Sequence, residues 1–151
     1  LRELASSLPR ALVLFSPWVD LTLERVGSPP PGEIMLNLPW VRECARAYVA
    51  SQDCRDPLLS PLEADLGGLP PTLIQVGTDE LLLADSRRLH ERLRTAGVTV
   101  RCEEYEARWH VFQANAGLLV DADRALESVA RFVRAAAGQA TGSRSTPASV
   151  G

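Results

Sequence analysis

The first residues carry apolar side chains at positions 1, 4, 5 and 8, the spacing of one helix face, and Pro9 interrupts that pattern. It reads as the end of a helix, with the chain cut inside it. Ala11-Leu12-Val13-Leu14-Phe15-Ser16 is an unbroken apolar run closed by Pro17, which predicts a strand covered on both faces within a parallel sheet. Residues 17–38 are rich in Pro, Gly and Ser around Pro29-Pro30-Pro31-Gly32, a loop of the length that often covers a site. From Pro39 to Ser51 the spacing of Val41, Cys44, Ala45, Tyr48 and Val49 predicts an amphipathic helix, with Pro39 tolerated in its first turn. Residues 53–71 are again loop.

Thr72 to Val76 predicts a second strand. A helix follows from about Leu81 or Asp85 to Ala96, with Leu82, Leu89 and Leu93 as its buried stripe and Gly97 closing it. Val98, Val100 and Cys102 alternate with Thr99, Arg101 and Glu103, so the strand from Val98 to Tyr105 has one dry face and one wet face and belongs at or near a sheet edge. Helices are predicted over 111–119 and 122–137. The second sets Ala125, Val129, Phe132 and Val133 on one side and Arg124, Glu127, Arg131 and Arg134 towards water. From Gly138 onward periodicity is lost, and a disordered tail over 138–151 is expected.

Strand, helix and strand at this spacing form a βαβ unit, so the two strands are parallel and their carboxyl ends share one rim. Asp79 lies just past the first of those ends and His110 just past the second. A carboxylate that accepts a hydrogen bond from imidazole fixes the ring's tautomer and stabilises its protonated form. On residue chemistry alone the plainer readings lead, Asp79 as a helix N-cap and His110 as a loop or helix-start residue.

Composition narrows the partners. The 151 residues suit one domain, and 46% hydrophobic with 23% charged residues is ordinary globular usage. All 16 basic residues are Arg, and the net charge of −3 leaves no concentrated basic surface for nucleic acid or an anionic membrane. Three cysteines without a CxxC or Cys/His cluster suggest neither a disulfide framework nor a zinc site, which fits a reducing cytoplasm. No apolar run reaches about 18 residues, the length of a membrane span.

Four stretches carry a family resemblance. Leu14-Phe15-Ser16-Pro17-Trp18-Val19-Asp20-Leu21-Thr22, Asp56-Pro57-Leu58-Leu59-Ser60-Pro61-Leu62, Leu69 to Leu81 with its Gly77-Thr78-Asp79-Glu80-Leu81 end, and Trp109-His110-Val111-Phe112-Gln113 occur in this order. Together they resemble the C-terminal half of the hormone-sensitive-lipase-like α/β-hydrolases. The resemblance implies a three-layer α/β-hydrolase fold with a mainly parallel sheet, truncated at the N-terminus. It would occupy residues 1–137, with 17–71 near the cap and Trp18 near substrate entry.

The implied activity is hydrolysis of short-acyl carboxylic esters through an acyl-enzyme, without metal or organic cofactor. Asp79 is then the triad acid, with Asp85 its nearest competitor, and His110 the general base. Trp109 and Val111 flank that base and either line the acyl pocket or serve packing. The sequence contains neither a G-x-S-x-G elbow nor a His-Gly-Gly oxyanion loop. Ser16, Ser60 and Ser86 have no elbow glycines and read as structural. His90 reads as a solvated helix residue, and Cys44 and Cys102 as core filler. The chain alone is therefore expected to be inactive, its missing partner being the N-terminal half of the same fold. The alternative is a non-catalytic half that docks on a partner or pairs as a homodimer through strand 98–105 and the terminal helix.

Overall fold

A computed structural model of the chain describes residues 8–139. The helix expected over 1–8 and the tail expected over 138–151 lie almost wholly outside those residues. In chain order the elements are β1 (Leu12–Phe15), α1 (Leu38–Val49), β2 (Thr72–Gly77), α2 (Leu83–Thr95), β3 (Val100–Tyr105) and α3 (Val120–Gln139). The strands form one parallel sheet in the order β1-β2-β3, with Leu12 opposite Thr72 and Thr72 opposite Val100.

β2 is the middle strand and every one of its residues is buried. Successive side chains of a strand point to opposite faces, so Ile74 and Gln75 look in opposite directions. Ile74 packs in a cluster with Leu89 and Leu93 of α2, Val98, Leu62, Leu66 and Val19. Gln75 faces the other way and donates from Nε2 to the Ala125 carbonyl of α3 at 2.8 Å. Helices therefore cover both faces of the sheet, giving three layers.

β1 pairs with β2 on one side, and all four of its residues are only partly buried, where the unbroken apolar run predicted cover on both faces. Its second edge has no strand partner among the described residues. β3 alternates as expected only as far as Cys102. Arg101 is exposed, but Glu103, expected on the wet face, is partly buried and Glu104 is exposed in its place, because Glu103 is drawn into hydrogen bonds with Gln75 and Ser128.

Local chemistry explains the helix ends. Asn37 caps α1, its side-chain oxygen accepting from the Trp40 N–H at 3.0 Å, and the helix buries Val41, Ala45 and Val49. α2 begins at Leu83 behind Leu82, which offers no side-chain cap, so Asp79 is not its N-cap. The helix expected over 111–119 is absent. Val111 sits in the left-handed region at φ 52°, a single 3-10 turn covers Phe112–Asn115, and Gly117 at φ 82° ends the segment before α3.

Candidate active site

The carboxyl end of β2 is laced to the loop after β3. The Thr78 N–H donates to the Tyr105 carbonyl at 2.9 Å, the Asp79 N–H to the Arg108 carbonyl at 3.0 Å, and the Ala107 N–H to Thr78 Oγ1 at 2.9 Å. Gly77 permits this approach, since a Cβ there would stand 2.0 Å from the Arg108 carbonyl oxygen. Parallel pairing of β2 and β3 thus delivers the 77–80 turn and the 106–110 loop to the same rim.

The carboxylate that this rim sets against His110 is that of Glu80. Glu80 Oε2 lies 3.0 Å from His110 Nδ1, with the Glu80 side chain fully buried and the imidazole 20% exposed. The other oxygen, Oε1, accepts from the Gly77 N–H at 2.6 Å and from the Ser16 hydroxyl at 2.8 Å. A buried carboxylate needs such donors, and here all of them converge on one group. Since an ionised carboxylate only accepts, the proton between the two side chains belongs to Nδ1. That leaves the Nε2 lone pair of neutral His110 free to take a proton.

Asp79, one residue earlier, goes elsewhere. Its carboxylate makes no hydrogen bond to a described residue, and it packs so closely on Gly32 that a Cβ there would meet Oδ2 at 2.1 Å. Asp85 bonds to other groups. Its fully buried carboxylate accepts from the N–H groups of Val19 (3.1 Å) and Asp20 (3.2 Å) and from Arg88 (2.7 Å), pinning the segment after β1 to α2. Burial pushes the Asp85 carboxyl above its ordinary range against the pull of Arg88 and the Val19 N–H. Glu80 is placed by the turn that follows β2. It stands three residues after the strand-ending glycine, and its side chain closes that turn by accepting the Gly77 N–H.

His110 opens onto a cleft of about 250 Å³ lined by Phe15, Trp18, Leu36, Trp40, Cys44 and Leu82 among others. Trp18 and Cys44 also line a neighbouring apolar cleft of about 390 Å³ with Tyr48, Leu58 and Leu59. The aromatic side chains that line this cleft with the imidazole are Phe15, Trp18 and Trp40. Neither Trp109 nor Val111 lines either cleft. Trp109 packs on the buried Phe112, Ala122 and Ala125 cluster, and Val111 contributes its backbone N–H to Ser16 Oγ at 3.1 Å. Among the described residues no group of three or more His, Cys, Asp or Glu side chains is placed to hold a metal ion, and no helix is long and apolar enough to cross a membrane.

The family model described as the alpha/beta hydrolase fold matches residues 1–114. The chain belongs to that family. Among its relatives, this α/β-hydrolase chain is 40% identical over 141 residues to an acetyl-hydrolase of Streptomyces hygroscopicus, covering 92% of the chain and 47% of that protein. It is 36% identical over 135 residues to an esterase of Acinetobacter venetianus, covering 87% of the chain and 45% of that protein. Among solved structures it superimposes on EstE7, a hormone-sensitive-lipase homologue from a metagenome library, with a TM-score of 0.84 at 36% identity, over 89% of the chain and 47% of EstE7. The chain thus spans about half the length of the curated relatives it matches. The expected hydrolase fold and its hormone-sensitive-lipase-like character are both shown by these matches, and its relatives are esterase and lipase-type hydrolases.

Proposed function

We propose that the chain carries the acid and the base of a serine carboxylic ester hydrolase acting on short-acyl esters, with Glu80 as the acid and His110 as the base. The observation that carries this reading is the 3.0 Å approach of His110 Nδ1 to a buried Glu80 carboxylate beside an aromatic-lined cleft. In the reaction, His110 Nε2 takes the proton of a serine hydroxyl as that oxygen attacks the ester carbonyl carbon. The tetrahedral intermediate collapses to an acyl-enzyme, and the imidazolium returns the proton to the departing alkoxide. Water then repeats the cycle: Nε2 takes its proton, hydroxide attacks the acyl carbon, and the serine oxygen leaves protonated. Glu80 stays ionised throughout and stabilises the imidazolium.

The nucleophile and the oxyanion donors would come from an N-terminal half of the same fold. The fit of an acetyl-hydrolase over nearly the whole chain supports a small acyl group. Joined to the N-terminal half of that Streptomyces enzyme, the chain should turn over a chromogenic acetyl ester. His110→Ala should lower kcat by about 10³-fold or more and Glu80→Ala by about 10²–10⁴-fold. Asp79→Ala should change kcat by less than about tenfold. The reverse ranking of the two acids would return the role to Asp79. Turnover by the 151-residue chain alone that vanishes in His110→Ala would remove the need for a second half.

A second reading, a docking half without turnover, is favoured by the β1 edge, which has no partner among the described residues. β3 lies at the other end of the sheet and α3 leaves Leu126 and Val133 partly uncovered, so a homodimer through these elements is a third arrangement of the same kind.

A further inference from the structure

Ser16 follows β1, 64 residues before Glu80 and 95 before Val111, yet its hydroxyl touches both. The residue is 2% exposed and holds a positive φ of 45°, a region that favours glycine over serine. The Val111 N–H can only donate and an ionised Glu80 Oε1 can only accept, so the hydroxyl has one consistent orientation. It accepts from Val111 at 3.1 Å and donates to Glu80 at 2.8 Å. Glu80 Oε2 in turn accepts from His110 Nδ1, and His110 is bonded covalently to Val111. The hydrogen bonds therefore close a ring around the acid and the base.

We propose that Ser16 is a positioning residue whose hydroxyl ties the Glu80 carboxylate to the backbone of the histidine loop and so holds His110 in the Nδ1–H tautomer with Nε2 free. This rests on the reading of Glu80 and His110 as an acid–base pair. The Gly77 N–H fixes Oε1 at one point, and a second donor is needed to fix the plane of the carboxylate. The same hydroxyl satisfies the Val111 N–H, a backbone donor in a left-handed residue where no helix or sheet partner is available. A methyl group could fill the space but perform neither task. A positive φ kept by a residue other than glycine, at the centre of a polar ring, is the kind of local cost that functional sites retain.

The chain has two histidines, His90 and His110, so imidazole nitrogen spectra of the 15N-histidine-labelled 151-residue protein are assignable with a His90→Gln control. At pH 8 the parent chain should show His110 as the Nδ1–H tautomer with an exchange-protected Nδ1 proton, lost in Glu80→Ala. Ser16→Gly should abolish that protected proton and shift His110 towards the Nε2–H tautomer. Its thermal midpoint should fall less than that of Ser16→Ala, because both lose the same two hydrogen bonds but glycine accepts φ 45° more readily than alanine. Ser16→Ala should give the same imidazole spectrum. Retention of the protected Nδ1 proton in both Ser16 variants overturns the role of Ser16 and leaves the pair intact. Its absence from the parent, or its survival in Glu80→Ala, overturns the pair itself and the Ser16 role with it. Collapse of the backbone amide spectrum in both Ser16 variants would make the residue one of folding, and that also overturns the proposal.

Discussion

At the scale of single residues, the geometry of the site depends on where backbone comes close to backbone. Gly77 lies against the Arg108 carbonyl, where an added Cβ would stand 2.0 Å away and neither partner is a side chain able to swing aside. Gly77→Ala should therefore push the 106–110 loop off the end of β2 and lower stability by about 1–3 kcal/mol, the usual range for overpacking a tight contact. Gly27 has nothing within 4 Å of a built Cβ, and Gly27→Ala should stay within about 0.5 kcal/mol. Urea unfolding of the two variants measures the difference, and equal midpoints would show that the strand end and the loop are not locked together. The adjacent acids teach a related lesson. Sequence placed a carboxylate after β2 and an imidazole after β3, because strand ends can be read from hydrophobic runs. It could not separate Asp79 from Glu80, since a one-residue choice at a turn depends on which backbone N–H the side chain reaches. Here that donor is the Gly77 N–H, three residues back.

At the scale of elements, β3 and α3 are joined by polar groups that the hydrophobic pattern does not reveal. Glu103 accepts from Ser128 Oγ (2.6 Å), Gln75 Nε2 (2.8 Å) and the Tyr105 hydroxyl (3.1 Å), with Arg101 2.9 Å away. Burial would raise its pKa, but the hydrogen bonds from Ser128 and Gln75 and the charge of Arg101 outweigh that, and the net shift is downward from 4.5. A carboxyl group depressed by folding contributes stability that is complete above its unfolded value and is lost as pH falls through the lower folded one. Glu103→Gln should accordingly cost about 1 kcal/mol at neutral pH. It should also flatten the fall in unfolding free energy below pH 4.5. Parallel pH curves for the two proteins, measured by urea titration at several pH values, would show that Glu103 plays no part in acid sensitivity. The helices and strands themselves were legible because α1, α2 and α3 bury one stripe each. Residues 111–119 have helical apolar spacing but do not form a helix, because the backbone at Val111 is turned to φ 52° within the His110 loop. Gln75 passed as a strand residue without sign that it is buried and bonded to α3.

At the scale of the whole molecule, the described sheet has a protected centre and one unprotected apolar edge. Leu73, Ile74 and Val76 of β2 are fully buried, whereas β1, made of Leu12, Val13, Leu14 and Phe15, is partly exposed along its length. Ile34, Met35, Trp40, Tyr48 and Leu58 add further exposed apolar surface around α1 and its flanking loops. The chain spans about half the length of these relatives, and under the proposed function the free edge of this apolar parallel strand would be the junction for an N-terminal half of the fold. Without that cover the edge is a template for pairing with another copy. The isolated chain at tens of micromolar, the range in which such edges associate, should elute ahead of a 16.4 kDa monomer. Val13→Lys places a charge on β1 while leaving Leu14 packed against the core cluster, so it should restore monomeric elution with little change in the far-ultraviolet dichroism. Size-exclusion chromatography with light scattering decides the matter. A parent chain that remains a 16.4 kDa monomer under these conditions would mean that the β1 edge is not a docking surface, and the case for a catalytic half completed along that edge would weaken with it.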